Sequence, residues 1–208
     1  KSLLTGLPLK ENIASAYESA QSNWSGARQA AKAALGFDQQ APLVFIFGGS
    51  QGSAAINEVI NHSRQALNDM GVNILHGVGA RNALPESDSG YKAVNYISDM
   101  ATAYLAADLI IARSGAVTCA EVNTLGRYAL FIPLPIGNGE QNLNAASLVS
   151  QGRAEILPQA LFSAEWMNQN LRRLLAQSSA APISGSTIDI EATTKIVALM
   201  DHALSGGK

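Results

Sequence analysis

The chain has 208 residues, of which 47% are hydrophobic and only 14% are charged, so its composition predicts one globular domain with a sizeable core. Its 14 basic and 16 acidic residues give a net charge of -2, which offers no electrostatic attraction for nucleic acid. Its apolar runs are shorter than the ~20 residues of a membrane span, and no signal peptide is visible. The single cysteine, Cys119, excludes an internal disulfide and fits a reducing compartment, where we expect a buried, inert thiol.

The two ends of the sequence differ in character from its middle. Residues 1–22 are expected to be a linker from a preceding domain, because the sequence starts at Lys1 and runs at once into the apolar stretch Leu3–Pro8. Residues 23–204 are expected to form the domain itself. Residues 205–208, rich in glycine, are expected to be a flexible tail.

Between these ends, apolar runs alternate with segments of helical spacing. Strands are predicted at Leu43–Phe47, Val72–His76, Tyr91–Ile97, Leu109–Ala112, Ala129–Ile132 and Ala154–Leu157. Helices are predicted after a Ser25 cap and after an Asp99 cap, near Ala164–Ala176 and Asp189–Leu204, and after the strands that end at Phe47, Ala112 and Ile132. This alternation predicts an α/β fold with a doubly wound parallel sheet, in which ligands bind beyond the carboxyl ends of the strands.

The stretch Arg113–Glu121 follows a buried strand and predicts a tight turn and a helix start, which together suit an anion. With Ser114 as the cap, Glu121 lies about two turns into the helix, where its carboxylate can accept hydrogen bonds from ribose hydroxyls. A second interpretation stays open from these residues, because Thr118 and Glu121 also have the spacing of a capping box that only closes the helix start.

Two further loops carry polar groups at the same predicted edge. The turn Gly48–Gly52 lacks the G-x-G-x-x-G order and a following lysine, so it satisfies neither a dinucleotide nor a P-loop motif. Within it, the Ser50 hydroxyl and the Gln51 amide can bind a polar ligand, although a tight turn without a ligand fits equally well. After Glu140, Gln141 and Asn144 share one helical face and suit sugar hydroxyls, or simply solvent.

The remaining reactive residue types indicate no metal or nucleophilic site. The histidines lack metal-ligand spacing and a plausible Ser or Cys partner, so structural roles are expected of His62, His76 and His202. Trp24 and Trp166 are expected to pack within their helices.

Six motifs in order resemble the carboxyl-terminal half of the MurG family of glycosyltransferases. They are Thr5–Leu9, Phe47–Gly52, Ile97–Met100, Arg113–Glu121, Pro133–Pro135 and Gly139–Ala145. Three positions depart from the family pattern: Leu7 replaces an asparagine, Lys10 replaces an arginine and so loses its fork geometry, and Glu140 stands where some members have His or Gln.

The resemblance implies the Rossmann-like half of a GT-B glycosyltransferase that holds UDP-N-acetylglucosamine. It implies Ser50 near the diphosphate, Tyr96 and the backbone of Ile97 beside uracil, and Glu121 on the ribose. It also implies Ala116, Val117 and Thr118 around the phosphates and sugar, and Gln141 on the N-acetylglucosamine. Arg113 belongs to the same motif, either touching the donor or bracing the loop.

The resemblance further implies an inverting enzyme of peptidoglycan synthesis, cytoplasmic and peripheral on the inner face of the bacterial inner membrane. The catalytic base, the lipid-linked acceptor and the membrane contact would belong to an amino-terminal domain outside these residues, so this chain alone is expected to bind donor without transfer. No cofactor or metal is expected. Two alternatives stay open: another GT-B enzyme acting on UDP-N-acetylglucosamine, such as the 2-epimerase, and a non-catalytic nucleotide-sugar-binding module.

Overall fold

A parallel sheet forms the centre of the molecule in a computed structural model that describes residues 3–136, 138–182 and 184–205. The strands are β1 (Leu43–Phe47), β2 (Asn73–Gly77), β3 (Tyr91–Val94), β4 (Leu109–Ala112), β5 (Ala129–Phe131) and β6 (Ala154–Ile156). All six strands are parallel, in the order β3-β2-β1-β4-β5-β6. The predicted parallel sheet is therefore confirmed.

Helices connect the strands and cover both faces of the sheet. They are α1 (Glu11–Ala20), α2 (Trp24–Ala34), α3 (Ala54–Asp69), α4 (Met100–Ala106), α5 (Ala116–Thr124), α6 (Glu140–Ser150), α7 (Ala164–Ala180) and α8 (Ala192–Leu204), with a short 3-10 turn at Gln159–Leu161. Strands β1 and β4 are buried on both faces, which explains their uninterrupted apolar runs.

Two hydrophobic cores lie on opposite faces of the sheet, because successive strand residues point to opposite sides. Phe45 and Phe131 belong to the core beneath α1, α2, α4, α5 and α6. Ile46 and Leu130, their chain neighbours, belong to the core beneath α3 and α7. The sheet is therefore doubly wound, as predicted.

The structure corrects the helix starts in several places. Asn23, not Ser25, caps α2, since its side chain accepts a hydrogen bond from the Gly26 N–H at 2.9 Å. The Asp99 cap of α4 is confirmed, with the Thr102 N–H donating to it at 3.0 Å. Helix α8 begins at Ala192 rather than at residue 189.

The first helix lies within the segment expected to be a linker. Helix α1 was not predicted, yet its Ile13 and Ala20 are fully buried. Of the expected tail, only Ser205 belongs to the described residues, and Lys1 at the other end lies outside them. The proposed boundary at residue 23 stays a prediction.

The two tryptophans and the cysteine pack against neighbouring residues, whereas His62 and His202 are exposed on their helices. Trp24 lies edge-on to Tyr17, with ring centroids 5.9 Å apart, and Trp166 lies 6.3 Å from Phe162. Burial raises the pKa of the Cys119 thiol to about 12, so the thiol is not a nucleophile at neutral pH.

The helices of the described residues are short or polar, and their metal-binding side chains are scattered. None of their helices combines the length and the apolar composition needed to cross a membrane. Among the same residues, no three His, Cys, Asp or Glu side chains are grouped so that they could hold a metal ion.

Candidate functional site

The candidate site lies between β1 and β4, where the order in which strands are added to the sheet reverses. From the neighbouring strands β1 and β4, the chain proceeds to β2 on one side and to β5 on the other. The loops that follow these two strands therefore separate and leave a crevice between them at the carboxyl edge of the sheet. In open α/β sheets this is the place where ligands bind.

The first of two adjoining cavities in this crevice has a volume of about 360 Å³. It is lined by six predicted site residues, namely Lys10, Ser50, Tyr96, Ile97, Val117 and Glu121. Phe47 and Met100 add apolar walls. The cavity thus combines an apolar slot with a carboxylate and a hydroxyl.

Glu121 is the buried acid of this cavity, with an exposed fraction of only 5%. Its Oε2 accepts a hydrogen bond of 2.8 Å from the hydroxyl of Tyr104 on α4. Burial raises the pKa of Glu121, while the Tyr104 hydrogen bond and the charge of Lys10 act in the opposite direction. The carboxylate is therefore held by protein contacts on one oxygen and borders the cavity.

The capping-box interpretation of Thr118 and Glu121 is wrong. Gly115, not Ser114, is the N-cap of α5, and no side chain caps this helix start. Thr118 lies inside the first turn, and the Glu121 carboxylate bonds to Tyr104 instead of to the helix start. The first N–H groups of α5 are consequently left for a ligand or water.

The second cavity, of about 460 Å³, lies beside that open helix start. Arg113, Thr118 and Gln141 line it, together with the glycine-rich loop after β1. Gly49 borders both cavities, so the two volumes adjoin. Together they form one elongated crevice that passes the amino end of α5.

Arg113 braces the loops around the second cavity. Its Nη1 donates to the carbonyls of Ile132 and Pro133 at 2.9 and 3.1 Å, and its Nη2 donates to Ser53 Oγ at 2.8 Å and Gln159 Oε1 at 2.6 Å. Burial lowers the pKa of Arg113. Among the described residues no carboxylate forms an ion pair with it, so its charge remains available to an anion.

The carboxamides of α6 have different positions. Gln141 lines the second cavity, and its Oε1 accepts from the Leu134 N–H at 2.9 Å, which leaves the NH2 group to donate to a ligand. Asn144 donates to the Ser114 carbonyl at 3.0 Å and lines a separate cavity of about 300 Å³, beside Ala116. Asn144 thus positions the loop after β4.

The other predicted residues lie at the margin of the crevice. Gln51 is exposed and borders neither of the two adjoining cavities. Glu140 is also exposed, and its side chain accepts from the Asn138 N–H at 3.0 Å.

The sequence analysis missed residues that hold the loops after β1 and β2 together. Asn82 donates to the carbonyls of Gln51 and Val78 at 3.0 and 2.8 Å. A Cβ atom on Gly79 would lie 2.2 Å from the backbone nitrogen of Gly52, so the two loops touch through their glycines. The sequence showed the glycines of both loops but not the role of Asn82, because the loop after β2 was predicted to face solvent.

The comparison with known families agrees with this geometry. The profile of the Glycosyltransferase family 28 C-terminal domain matches residues 43–198. The chain belongs to glycosyltransferase family 28. Its matched region includes every strand of the sheet and both loops that form the crevice.

Similar full-length proteins are transferases by name. The chain is 40% identical over 176 residues to the Streptomyces coelicolor protein named UDP-N-acetylglucosamine--N-acetylmuramyl-(pentapeptide) pyrophosphoryl-undecaprenol N-acetylglucosamine transferase, covering 82% of this chain and 47% of that protein. A Paenarthrobacter aurescens protein of the same name is 43% identical over 159 residues, covering 74% and 43%. The chain therefore spans about half the length of the curated relatives it matches.

Solved structures give the same result for this family 28 domain. MurG of Acinetobacter baumannii has a TM-score of 0.60 at 31% identity, over 78% of this chain and 50% of that one. The calicheamicin glycosyltransferase CalG4 has a TM-score of 0.62 at 13% identity, over 80% and 43%, which shows a shared fold. The resemblance to MurG and the GT-B half-fold are confirmed.

Proposed function

We propose that this domain binds UDP-N-acetylglucosamine as the donor half of an inverting N-acetylglucosaminyltransferase that makes the lipid-linked peptidoglycan precursor. The observation that carries the proposal is the arrangement on α5. An uncapped helix start borders one end of the crevice, and the buried Glu121 carboxylate borders the other. Glu121 is five positions after Ala116, which is about 7.5 Å along the helix axis and suits the distance from a diphosphate to its ribose.

The apolar part of the first cavity suits the base. Phe47, Ile97 and Met100 provide flat apolar contacts, and Tyr96 lies at the rim with 60% of its surface exposed. Uracil would lie against these side chains and pair with the backbone of Ile97. Glu121 would then accept hydrogen bonds from the ribose hydroxyls.

The diphosphate suits the positive features of the crevice. Val117 and Thr118 line the crevice at the open start of α5, so their N–H groups and the hydroxyl of Ser50 are available to donate, whereas Ala116 lines the separate third cavity. The charge of Arg113 lies in the second cavity beside this helix start. These groups also stabilise the charge that develops on UDP as it leaves. Thr118 and the NH2 group of Gln141 remain for the N-acetylglucosamine.

Transfer itself needs groups that these residues do not provide. The acceptor hydroxyl attacks the anomeric carbon with inversion, and a base takes its proton. We place that base and the lipid-linked acceptor on an amino-terminal domain of the whole enzyme, which would work at the cytoplasmic face of the membrane. The domain of residues 23–204 would bind donor without transferring it.

Calorimetric titration with UDP-N-acetylglucosamine tests donor binding. Glu121→Gln replaces a charged acceptor by a neutral one, so it should weaken binding by ~1–3 kcal/mol. Glu58→Gln is the matched control, because Glu58 is an exposed acid on α3 outside the crevice, and it should bind like the parent. Equal affinities of the parent and the Glu121 variant would contradict the ribose role, and transfer to a lipid-linked acceptor by this chain alone would contradict the predicted inactivity.

A further inference from the structure

A fully buried tyrosine holds one oxygen of the Glu121 carboxylate. Tyr104 has no exposed surface, and its hydroxyl donates to Glu121 Oε2 at 2.8 Å. This contact joins α4 to α5 below the first cavity. The tyrosine takes one acceptor position on Oε2, so Oε1 and the second lone pair of Oε2 are left to accept from a ligand.

The tyrosine is itself fixed by the core. Its ring lies edge-on to Phe45 at 5.7 Å and to Phe47 at 5.9 Å, and these two rings stack at 4.7 Å on β1. Edge-to-face packing of this kind restricts the ring orientation. The position of the Tyr104 hydroxyl, and with it the carboxylate, is therefore determined by the central strand of the sheet.

We propose that Tyr104 is a positioning residue that orients Glu121 toward the ribose, so that the site selects ribonucleoside over deoxyribonucleoside diphosphates. The proposal rests on the donor-binding function above. A glutamate side chain that is free to rotate must be ordered when ligand binds, whereas one already held loses little entropy. The hydrogen bond also opposes the effect of burial on the pKa of Glu121 and so favours the ionised acceptor.

Selectivity follows from the burial of the acid. A ligand without ribose hydroxyls would cover Glu121 and remove its water without offering a donor in return. A site built around a hydrogen bond rejects such an analogue more strongly than an apolar site would. The discrimination requires that the carboxylate cannot turn away, which is the effect we assign to Tyr104.

The test compares two ligands across three proteins. UDP and 2′,3′-dideoxyuridine diphosphate are titrated against the parent chain, Tyr104→Phe and Tyr128→Phe. Tyr128 is the matched control, because its hydroxyl also donates to a glutamate, Glu155 Oε1 at 2.9 Å, away from the crevice. We expect the parent to bind UDP at least ~10-fold more tightly than the dideoxy analogue, the typical effect of a hydrogen bond to a charged group.

In Tyr104→Phe, UDP binding should weaken by about tenfold while binding of the dideoxy analogue stays unchanged. Tyr128→Phe should leave both affinities as in the parent. Equal weakening of both ligands in Tyr104→Phe, or no weakening of either, would overturn the positioning role. Failure of the parent to bind UDP at all would instead overturn the donor-binding proposal.

A second variant covers the case in which Tyr104→Phe does not fold. Glu121→Asp keeps the charge but shortens the side chain by one methylene, which withdraws the carboxylate from both the Tyr104 hydroxyl and the cavity. Its loss of affinity should again be confined to UDP. Unchanged preference for UDP over the dideoxy analogue in this variant would contradict the proposal.

Discussion

At the scale of single residues, the site is built from charged groups that the fold has removed from water. Burial raises the pKa of Glu121 and lowers that of Arg113, so both ionised forms are disfavoured by their surroundings. Each is nevertheless held by protein hydrogen bonds. Ionisable groups whose pKa is shifted in this way are concentrated at functional sites.

Arg113→Lys should lower the free energy of unfolding by ~1–3 kcal/mol, because one ammonium cannot replace a fork that bridges four acceptors. Loss of the bond to Ser53 should also weaken UDP binding. Urea denaturation and calorimetry measure the two effects. Arg172→Lys, at an exposed arginine of α7, should change neither, and an unaltered denaturation midpoint for Arg113→Lys would show that the fork does not brace the loops.

Single residues also show what the sequence could reveal about the site. The place of Glu121 beyond the first turn of α5 could be predicted from helix geometry alone, because it is set by the chain nearby. The role of Tyr104 could not be predicted, because its contact with Glu121 depends on how α4 and α5 pack beneath β1.

At the scale of elements, the crevice depends on two loops that interlock through glycine. The loop after β1 contains Gly52 with a φ of 77°, and a Cβ atom there would lie 2.0 Å from the Val78 carbonyl oxygen in the loop after β2. Asn82 ties the same two loops by hydrogen bonds. The position of Ser50 in the first cavity therefore depends on a neighbouring loop.

Gly52→Ala should destabilise the domain by ~3 kcal/mol or more, since it combines an unfavourable backbone conformation with a backbone clash. UDP affinity should fall with it, because Ser50 is two residues away. Gly36→Ala is the matched control: its φ is 78°, but a Cβ atom there meets nothing within 4 Å.

The control should lose only ~1–2 kcal/mol, the cost of the left-handed conformation, and should bind UDP like the parent. Denaturation midpoints and calorimetric titrations of both variants measure this difference. If the two variants lose equal stability, the loops do not interlock as described.

Element prediction succeeded where large apolar residues mark the pattern. All six strands were predicted near their observed positions, and β1 and β4 have the predicted bounds because both of their faces are covered. Helix α1 was not predicted because small residues form much of its buried face, with Ala16 and Ala20 beside Ile13. Its burial depends on neighbouring helices and leaves little trace in hydrophobic periodicity.

At the scale of the whole molecule, a buried histidine links the core beneath α3 and α7 to the loops of the crevice. His76 has no exposed surface, and its ring nitrogens lie 2.7 Å from the Tyr91 hydroxyl and 3.0 Å from Asn57 Oδ1. Asn57 in turn donates to the Val78 carbonyl at 2.9 Å. The structural role expected of His76 is thus observed.

Acid should destabilise the domain through this histidine. Burial lowers the pKa of His76 from 6.5 to about 4, so the folded state favours the neutral ring. The free energy of unfolding is therefore at its full value above pH 6.5, because neither state then binds the proton. It falls by up to roughly 3 kcal/mol as the pH falls toward 4, because only the unfolded state is protonated in that range.

Urea denaturation between pH 7 and pH 4.5 measures the slope of the free energy of unfolding against pH. His76→Gln should show a smaller slope, whereas the exposed His62→Gln should show that of the parent. Identical slopes for the parent and His76→Gln would assign the acid sensitivity to other groups.

The sequence was sufficient to predict the parallel α/β fold, the loops at its carboxyl edge and the place of Glu121 on α5, because apolar runs, glycine turns and helical spacing are local properties. Which polar groups line the crevice and which hold its loops together depends on the tertiary structure. Arg113 reaches Gln159 and Ser53, and Asn144 reaches Ser114, across separations of 46, 60 and 30 residues. Such contacts arise from packing between elements that are distant in the sequence, so the residue types at the two positions do not predict them.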